Sequence, residues 1–292
     1  RLPLVIFHSS FVILLALALS YGTYLSLSNL YFNPAYFRDD YRGIEQYLES
    51  IERPADAVIL ISPNQAEAFG YYHRSGAPLY PLPHTRPLDT AETTAALEEI
   101  AKTHERIFVL FWGDEQADPE HLVEDWLNTH TYKARDQWYG QVRLAIYGVE
   151  AAAGRTSPVG ARFGEHVTLT EYRITSTTLF PDDTLQLALF WQTDAPLAER
   201  YKVFVHLYAD PAQPPVAQQD GEPGGGLVIT TIWKPGESIE DRHGVLIPRD
   251  LPAGEYRLMV GLYNLVDGAR LPVTLDNTDV GDRLDLGVVT IR

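Results

Sequence analysis

The distribution of apolar and polar positions divides the chain into stretches of different character. The first is apolar without periodicity. From Leu2 to Phe37 there is no Asp, Glu, Lys or Arg, and Leu4–Leu19 is interrupted only by His8, Ser9 and Ser10. A helix crossing a bilayer needs about 20 apolar residues at 1.5 Å rise each, and Leu4 to Leu25 supplies that length. Tyr21, Tyr24, Tyr31 and Phe32 follow, as an aromatic belt would at the headgroup layer. Pro34 and Phe37-Arg38-Asp39-Asp40 mark the exit into water. Residues 1–37 are therefore expected to form a transmembrane helix and its interfacial exit, with the lipid bilayer as partner. A signal peptide, with Phe11–Leu19 as h-region and Ala16-Leu17-Ala18 as cleavage site, is one alternative. A buried helix of a soluble core is another. The polar His8-Ser9-Ser10 patch suits a helix packed on other helices rather than on lipid. The chain also begins at Arg1 rather than Met. Both features point to a fragment or processed product, with transmembrane helices upstream of it.

The second stretch, 38–149, alternates helical and extended patterns. Asp39 and Asp40 are N-cap residues for a helix over Tyr41–Ile51, whose Ile44, Tyr47, Leu48 and Ile51 form one apolar stripe. Ala57–Ile61 is a continuous apolar run, as in a strand buried on both faces. A helix over Gln65–His73, a short extended piece at Leu79–Leu82 and a helix over Thr90–Thr103 come next. A second buried strand at Ile107–Trp112, a helix over Pro119–Asn128 and a strand over Gln141–Tyr147 complete the unit. Strands alternating with helices predict a small α/β domain with a partly parallel sheet, Rossmann-like in layer order.

Glu150–Pro158 has the composition of a linker, and beyond it helical periodicity ends. Leu185, Leu187, Leu189 and Trp191 alternate with other residues, as do Val203, Val205 and Leu207, and Tyr256, Leu258, Val260 and Leu262. Period-two alternation marks half-buried strands. Turn signals at Pro181-Asp182-Asp183, Pro235-Gly236-Glu237 and Pro252-Ala253-Gly254 separate them. Residues 159–292 thus predict an antiparallel β-sandwich, Ig-like or jelly-roll. The fold class expected for the whole is α+β multidomain.

Composition narrows the chemistry. A net charge of −16 argues against a nucleic-acid partner. The absence of Cys excludes disulfides, thiolate metal sites and a Cys nucleophile. There is no Gly-x-Ser-x-Gly, His-Glu-x-x-His, Walker loop or Gly-x-Gly-x-x-Gly after a strand. His104, His121 and His130 lack ligand spacing, so neither a metal nor a cofactor is expected. Gly224-Gly225-Gly226 has the character of a flexible loop more than a phosphate cradle. Two clusters remain as binding candidates. Asn64, Gln65 and Glu67 follow a strand, where open α/β sheets collect ligands, and Tyr72 lies nearby in sequence. Their plainer role is a helix cap with an acidic first turn. Trp233, Asp241 and His243, with Asp220-Gly221-Glu222-Pro223, would make a sugar platform if the Trp is exposed. Their plainer role is a core Trp beside turn-forming carboxylates. Asp39/Asp40 and Asp182/Asp183 are adjacent pairs, suited to caps and turns.

Several segments together resemble a known family. They are the final apolar helix, Asp39-Asp40-Tyr41-Arg42-Gly43, Pro63-Asn64-Gln65-Ala66-Glu67 and Tyr71-Tyr72. In the second half they are Leu189-Phe190-Trp191-Gln192, Tyr201–Leu207, Asp220-Gly221-Glu222-Pro223, Trp233-Lys234-Pro235-Gly236 and Gly254–Leu258. This order is similar to the C-terminal region of bacterial membrane glycosyltransferases of the protein mannosyltransferase and aminoarabinose transferase type, with an appended β-sandwich. The resemblance implies a polyprenyl-phosphate sugar donor, a glycan acceptor and soluble domains on the extracytoplasmic side of the cell membrane. In that family the catalytic acid lies in the first external loop, to which nothing here corresponds, so no catalytic residue is carried over. A single-pass or secreted carbohydrate-binding or adhesion protein without enzymatic activity is the alternative.

Overall fold

The computed structural model describes residues 2–33, 39–74, 76–150 and 154–292, with side chains from Phe11 onward in the first helix. The polar His8-Ser9-Ser10 side chains, the exit residues 34–38, Ser75 and the middle of the expected linker, 151–153, lie outside the described residues.

Helix α1 (Leu2–Phe32) contains an apolar span over Phe11–Phe32, of mean hydropathy 1.8, none of which is buried against the rest of the chain. It is long and apolar enough to cross a membrane, and a signal sequence meets the same criterion. A buried core helix is excluded, because its side chains face outward along the whole span.

Helix α2 (Tyr41–Ile51) begins where expected: Asp40 Oδ1 accepts the Gly43 N–H at 2.9 Å. The chain then forms β1 (Asp56–Leu60), α3 (Gln65–Tyr72), β2 (Leu79–Pro81), α4 (Thr90–Thr103) and β3 (Arg106–Phe111). Next come α5 (Asp114–Ala117), α6 (Leu122–His130), β4 (Tyr132–Tyr139) and β5 (Val142–Gly148). The sheet has strand order β2-β1-β3-β5-β4. β2, β1 and β3 are parallel, whereas β5 and β4 run antiparallel to β3 and to each other respectively. The partly parallel sheet is as expected, but its antiparallel hairpin edge is not a Rossmann arrangement. Both faces are covered. Val58, Leu60, Phe108, Leu110, Leu144 and Ile146 pack under α2 and α3, while Ile59, Ile61, Ile107, Val109 and Tyr147 pack under α4 and α6. Burial on both faces is why β1 and β3 appear in the sequence as unbroken apolar runs.

The second half is all β. β6 (Arg155–Phe163) starts inside the stretch expected to be linker, because Arg155–Pro158 pair with Glu171–Ile174 of β7 (Val167–Ile174). The other strands are β8 (Thr178–Leu179), β9 (Thr184–Thr193), β10 (Tyr201–Tyr208), β11 (Ala217–Gly221) and β12 (Ile239–Leu246). They are followed by β13 (Gly254–Asn264), β14 (Val273–Leu275), β15 (Thr278–Gly281) and β16 (Leu284–Ile291). They form two sheets, β11-β10-β13-β16-β8 and β12-β9-β7-β6-β14-β15. The sheets share one core, in which Leu185, Leu187, Leu189 and Trp191 meet Val203, Val205, Leu207, Leu258 and Val260. Pairing is antiparallel except between β16 and β8.

The two halves are docked directly. β4 and β12 are both edge strands, and each covers the other. Gly244 makes this approach possible: a Cβ there would lie 2.7 Å from the Tyr132 carbonyl oxygen and 2.9 Å from that of Lys133. Gly244→Ala is therefore expected to pry β12 from β4, at a cost of about 1–3 kcal/mol. Hydrogen exchange should then rise at Tyr132–Ala134 before it rises in the sheet cores. Around this contact, Arg53 pairs with Asp183 at 2.6 Å and Arg106 Nη1 donates to the Asp182 carbonyl at 2.8 Å. Gln186 Nε2 donates to the Val149 carbonyl at 2.9 Å. Asp182 and Asp183 thus form part of the domain junction as well as a turn.

Candidate functional site

Two of the hollows in the protein take in residues of the candidate clusters. One lies at the domain junction and is a cleft of about 390 Å³. α6 and β4 supply Asn128, Lys133, Arg135 and Asp136, and the all-β half supplies Gln218–Glu222, Gly225, Arg242 and His243. Most of its charged groups are paired with groups just behind the walls, Arg135 excepted. Lys133 bonds Glu124 at 2.8 Å, Arg242 meets Glu240 at 3.0 Å and Glu150 at 3.3 Å, and Asp136 takes Arg143 at 2.9 Å. Asp220 bonds the buried His206 at 2.8 Å, and both Glu222 oxygens hold Arg200, at 2.7 and 2.5 Å. The Arg135 guanidinium donates to Tyr47 Oη at 2.9 Å and to Gln137. What the walls leave for a ligand is amide and paired-ion hydrogen bonding, without net charge to neutralise. No Phe, Tyr or Trp lines the cleft among the described residues.

Glu124 anchors the α/β side of the cleft. Burial raises its pKa, but this is outweighed by hydrogen bonds and charge from Arg143 and Lys133, which bring it down to about 2. A carboxylate held below its unfolded value contributes stability that is complete above the unfolded pKa, near 4.3, and is lost as pH falls toward 2. Glu124→Gln is accordingly expected to cost on the order of 2–3 kcal/mol at neutral pH. It should also flatten the fall in stability between about pH 5 and 2 that urea titrations of the parent chain would show.

The all-β cluster expected to bind sugar is internal. Trp233 is only 3% exposed, its Nε1 donating to the Val228 carbonyl at 2.7 Å, so it cannot act as an open platform. Asp241 is fully buried. It accepts from His243 Nε2 at 2.6 Å, the Gly224 amide at 2.9 Å and Trp191 Nε1 at 3.3 Å. His243 is buried as well, with Gln219 Oε1 2.6 Å from Nδ1. Asp241 is a hub for three donors, and of these three residues only His243 reaches the cleft wall. The Gly224–Gly226 run, expected as a loop, forms a tight turn before Leu227. Its φ values of 61°, 68° and 97° place all three in the left-handed region, and Gly225 lies against Asn128, where a Cβ would sit 2.5 Å from the amide.

The second hollow, about 340 Å³, lies at the carboxyl ends of β1 and β3. Ser62, Asn64, Arg86, Trp112, Gln116 and Gln141 line it, and Arg86 donates to Ser62 Oγ at 2.9 Å. Of the four residues singled out here, only Asn64 belongs to it. Asn64 stands at the N-cap position of α3 without a side-chain cap bond, and Glu67 is exposed in the first turn. Gln65 is a buried plug. Its Nε2 donates to the Leu110 and Trp112 carbonyls at 3.3 and 3.4 Å, and its Oε1 accepts from Tyr41 at 3.3 Å. Tyr72 is one α-helix length, about 12 Å, from Asn64 and packs edge-on against Tyr71. Trp112, Gln116 and Gln141 were legible in principle, because β3 neighbours β1 and its end must share the same edge.

Sequence comparison adds no name to this geometry: no protein-family model matches the chain, and no curated protein sequence does. Solved structures give only distant likeness. A Niemann-Pick type C2 protein from Japanese carpenter ant aligns with 47% of this chain and 99% of its own, at 10% identity and a TM-score of 0.31. The sporulation control protein Spo0M of Bacillus subtilis aligns with 48% of this chain and 50% of its own, at 11% identity and a TM-score of 0.26. Likeness at this level carries no functional implication. Among the described residues no group of three or more His, Asp or Glu is placed to hold a metal ion.

Proposed function

We propose that this chain is the non-catalytic, extracytoplasmic C-terminal portion of an integral-membrane glycosyltransferase using a polyprenyl-phosphate-linked sugar. In this reading α1 anchors it in the cell membrane, and the α/β unit and the β-sandwich together position a glycan. The observation that supports it is the interdomain cleft, whose cations, Lys133, Arg135 and Arg242, are matched in number by the carboxylates Asp136, Asp220 and Glu222 beside the amides of Asn128, Gln218 and Gln219, a surface suited to a neutral, hydroxyl-rich ligand. Catalysis would reside in the upstream membrane body.

The test uses the full chain in lipid nanodiscs. Neutral oligosaccharides should shift the NMR amide resonances of Gln218–Gly221 and Lys133–Asp136, with weak affinity because no Phe, Tyr or Trp ring stacks on the sugar. Gln218→Ala, at an exposed cleft residue, should weaken binding about 3–10-fold, the value of one hydrogen bond. The same preparation should transfer no sugar from a polyprenyl-phosphate donor. Transfer by this chain alone would refute the division of labour. Binding by a native protein whose coding sequence holds no further membrane spans would instead favour an anchored carbohydrate-binding or adhesion protein.

A further inference from the structure

Chain length limits how far the start of the α/β domain can stand from the end of α1. Asn33 closes α1, and Asp39 and Asp40 open α2. The six residue steps from Asn33 to Asp39 reach at most about 21 Å. With α1 in a bilayer, the start of α2 therefore lies within that distance of the headgroup layer.

The tip of the β4–β5 hairpin packs along α2, with Val142 sharing a core cluster with Tyr41 at the start of the helix. Tyr139 pairs with Val142 across the tip, and its ring stacks on Tyr47 of α2 with centroids 6.5 Å apart. Burial raises the Tyr139 hydroxyl pKa, against the lowering charge of Arg135 and with a smaller raising effect from Asp40. At this tip Trp138 is 64% exposed, whereas Trp126, Trp191 and Trp233 are buried. Gln141, next to the turn, also lines the hollow at the ends of β1 and β3, so that hollow opens on the same edge.

An exposed indole at this height has an evident occupant. Trp favours the membrane–water interface, where its ring meets acyl chains and its N–H meets headgroups. Charge cannot supply the same contact, because a net −16 chain is repelled by anionic lipid. We infer that the α/β domain rests on the bilayer surface through the β4–β5 hairpin tip, with the Trp138 indole seated at the headgroup layer. The hollow lined by Asn64, Trp112 and Gln141 then opens onto that surface rather than into bulk water. The inference rests on α1 as the anchor and not on what the interdomain cleft binds, so failed oligosaccharide binding leaves it standing.

The chain has no Cys, so single nitroxide labels can be placed without background. The full chain carrying Gln141→Cys, Val266→Cys or Leu19→Cys would be reconstituted into phosphatidylcholine vesicles, and label depth measured by power saturation with oxygen and a nickel chelate. Val266 is 87% exposed in the all-β half and serves as the aqueous reference. The label at 141 should sit at headgroup depth, and Trp138→Ala should raise its nickel accessibility several-fold while leaving position 266 unchanged. Trp138 is exposed, so this variant leaves the fold intact. A label at 141 as aqueous as that at 266, or unmoved by Trp138→Ala, would overturn the inference. So would a water-exposed label at Leu19, or contact that strengthens with anionic lipid and ignores Trp138→Ala.

Discussion

Asp241→Ala is expected to lower the stability of the all-β half by about 3–5 kcal/mol, the range for stripping one partner from a buried ionic hydrogen-bond set. Three donors converge on this carboxylate from separate parts of the chain: the Trp191 indole of β9, the Gly224 amide of the left-handed turn and His243 of β12. Alanine removes the acceptor of all three at a fully buried position, and each orphaned polar group costs about 1–3 kcal/mol. Urea unfolding of the detergent-solubilised chain, followed by Trp fluorescence, measures the loss. Asp241→Asn should recover part of it, since an amide oxygen still accepts. A loss under about 1 kcal/mol would show that Asp241 does not organise the core and would return it to the list of ligand-binding residues.

Arg106→Ala is expected to have a comparable effect, about 3–5 kcal/mol, for a different reason. The guanidinium is almost wholly buried and grips Asp56 with two bonds, at 2.6 and 3.2 Å. It also donates to the Ile51 carbonyl at 2.6 Å and, across the junction, to the Asp182 carbonyl. Removing it strands the Asp56 carboxylate and loosens the docking of the two halves. Urea unfolding should show the lower stability, and hydrogen exchange around Asp182–Gln186 should accelerate. Lysine should not rescue, because it cannot form the paired bonds. Arg106→Met combined with Asp56→Leu should restore most of the loss, since no buried charge is then left alone. If the double variant were as unstable as Arg106→Ala, the stranded carboxylate would not be the cause.

The elements legible in the sequence are those whose burial is one-sided or total. The stripe of Ile44, Leu48 and Ile51 gave α2 to the residue, and the alternation of Leu185, Leu187, Leu189 and Trp191 gave β9. β4 was not legible. Its Arg135, Asp136, Gln137 and Trp138 are partly or fully exposed, so Tyr132–Tyr139 carries little periodic signal, and its pairing with β5 and cover by β12 come from distant residues. The linker composition of Glu150–Pro158 was equally misleading, because β6 begins as an exposed strand with little to bury. The candidate sites fared worse for a related reason. A polar residue after a strand or beside a Trp suggests a ligand, yet Gln65 and Asp241 point inward and satisfy backbone or indole groups. Whether a side chain faces in or out there depends on a neighbour some 45 or 50 residues away, Leu110 for Gln65 and Trp191 for Asp241.

The strand-to-strand contact of β4 with β12 and the grip of Arg106 on Asp182 have a mechanical consequence. Tension applied at the start of α2 runs into the five-stranded sheet and passes sideways into the all-β half across that junction. The covalent connection between Glu150 and Gly154 need not carry the load. The two halves thus act as one strut rather than two weights on a string, and whatever the far edge of the all-β half touches is held at a set distance from α2.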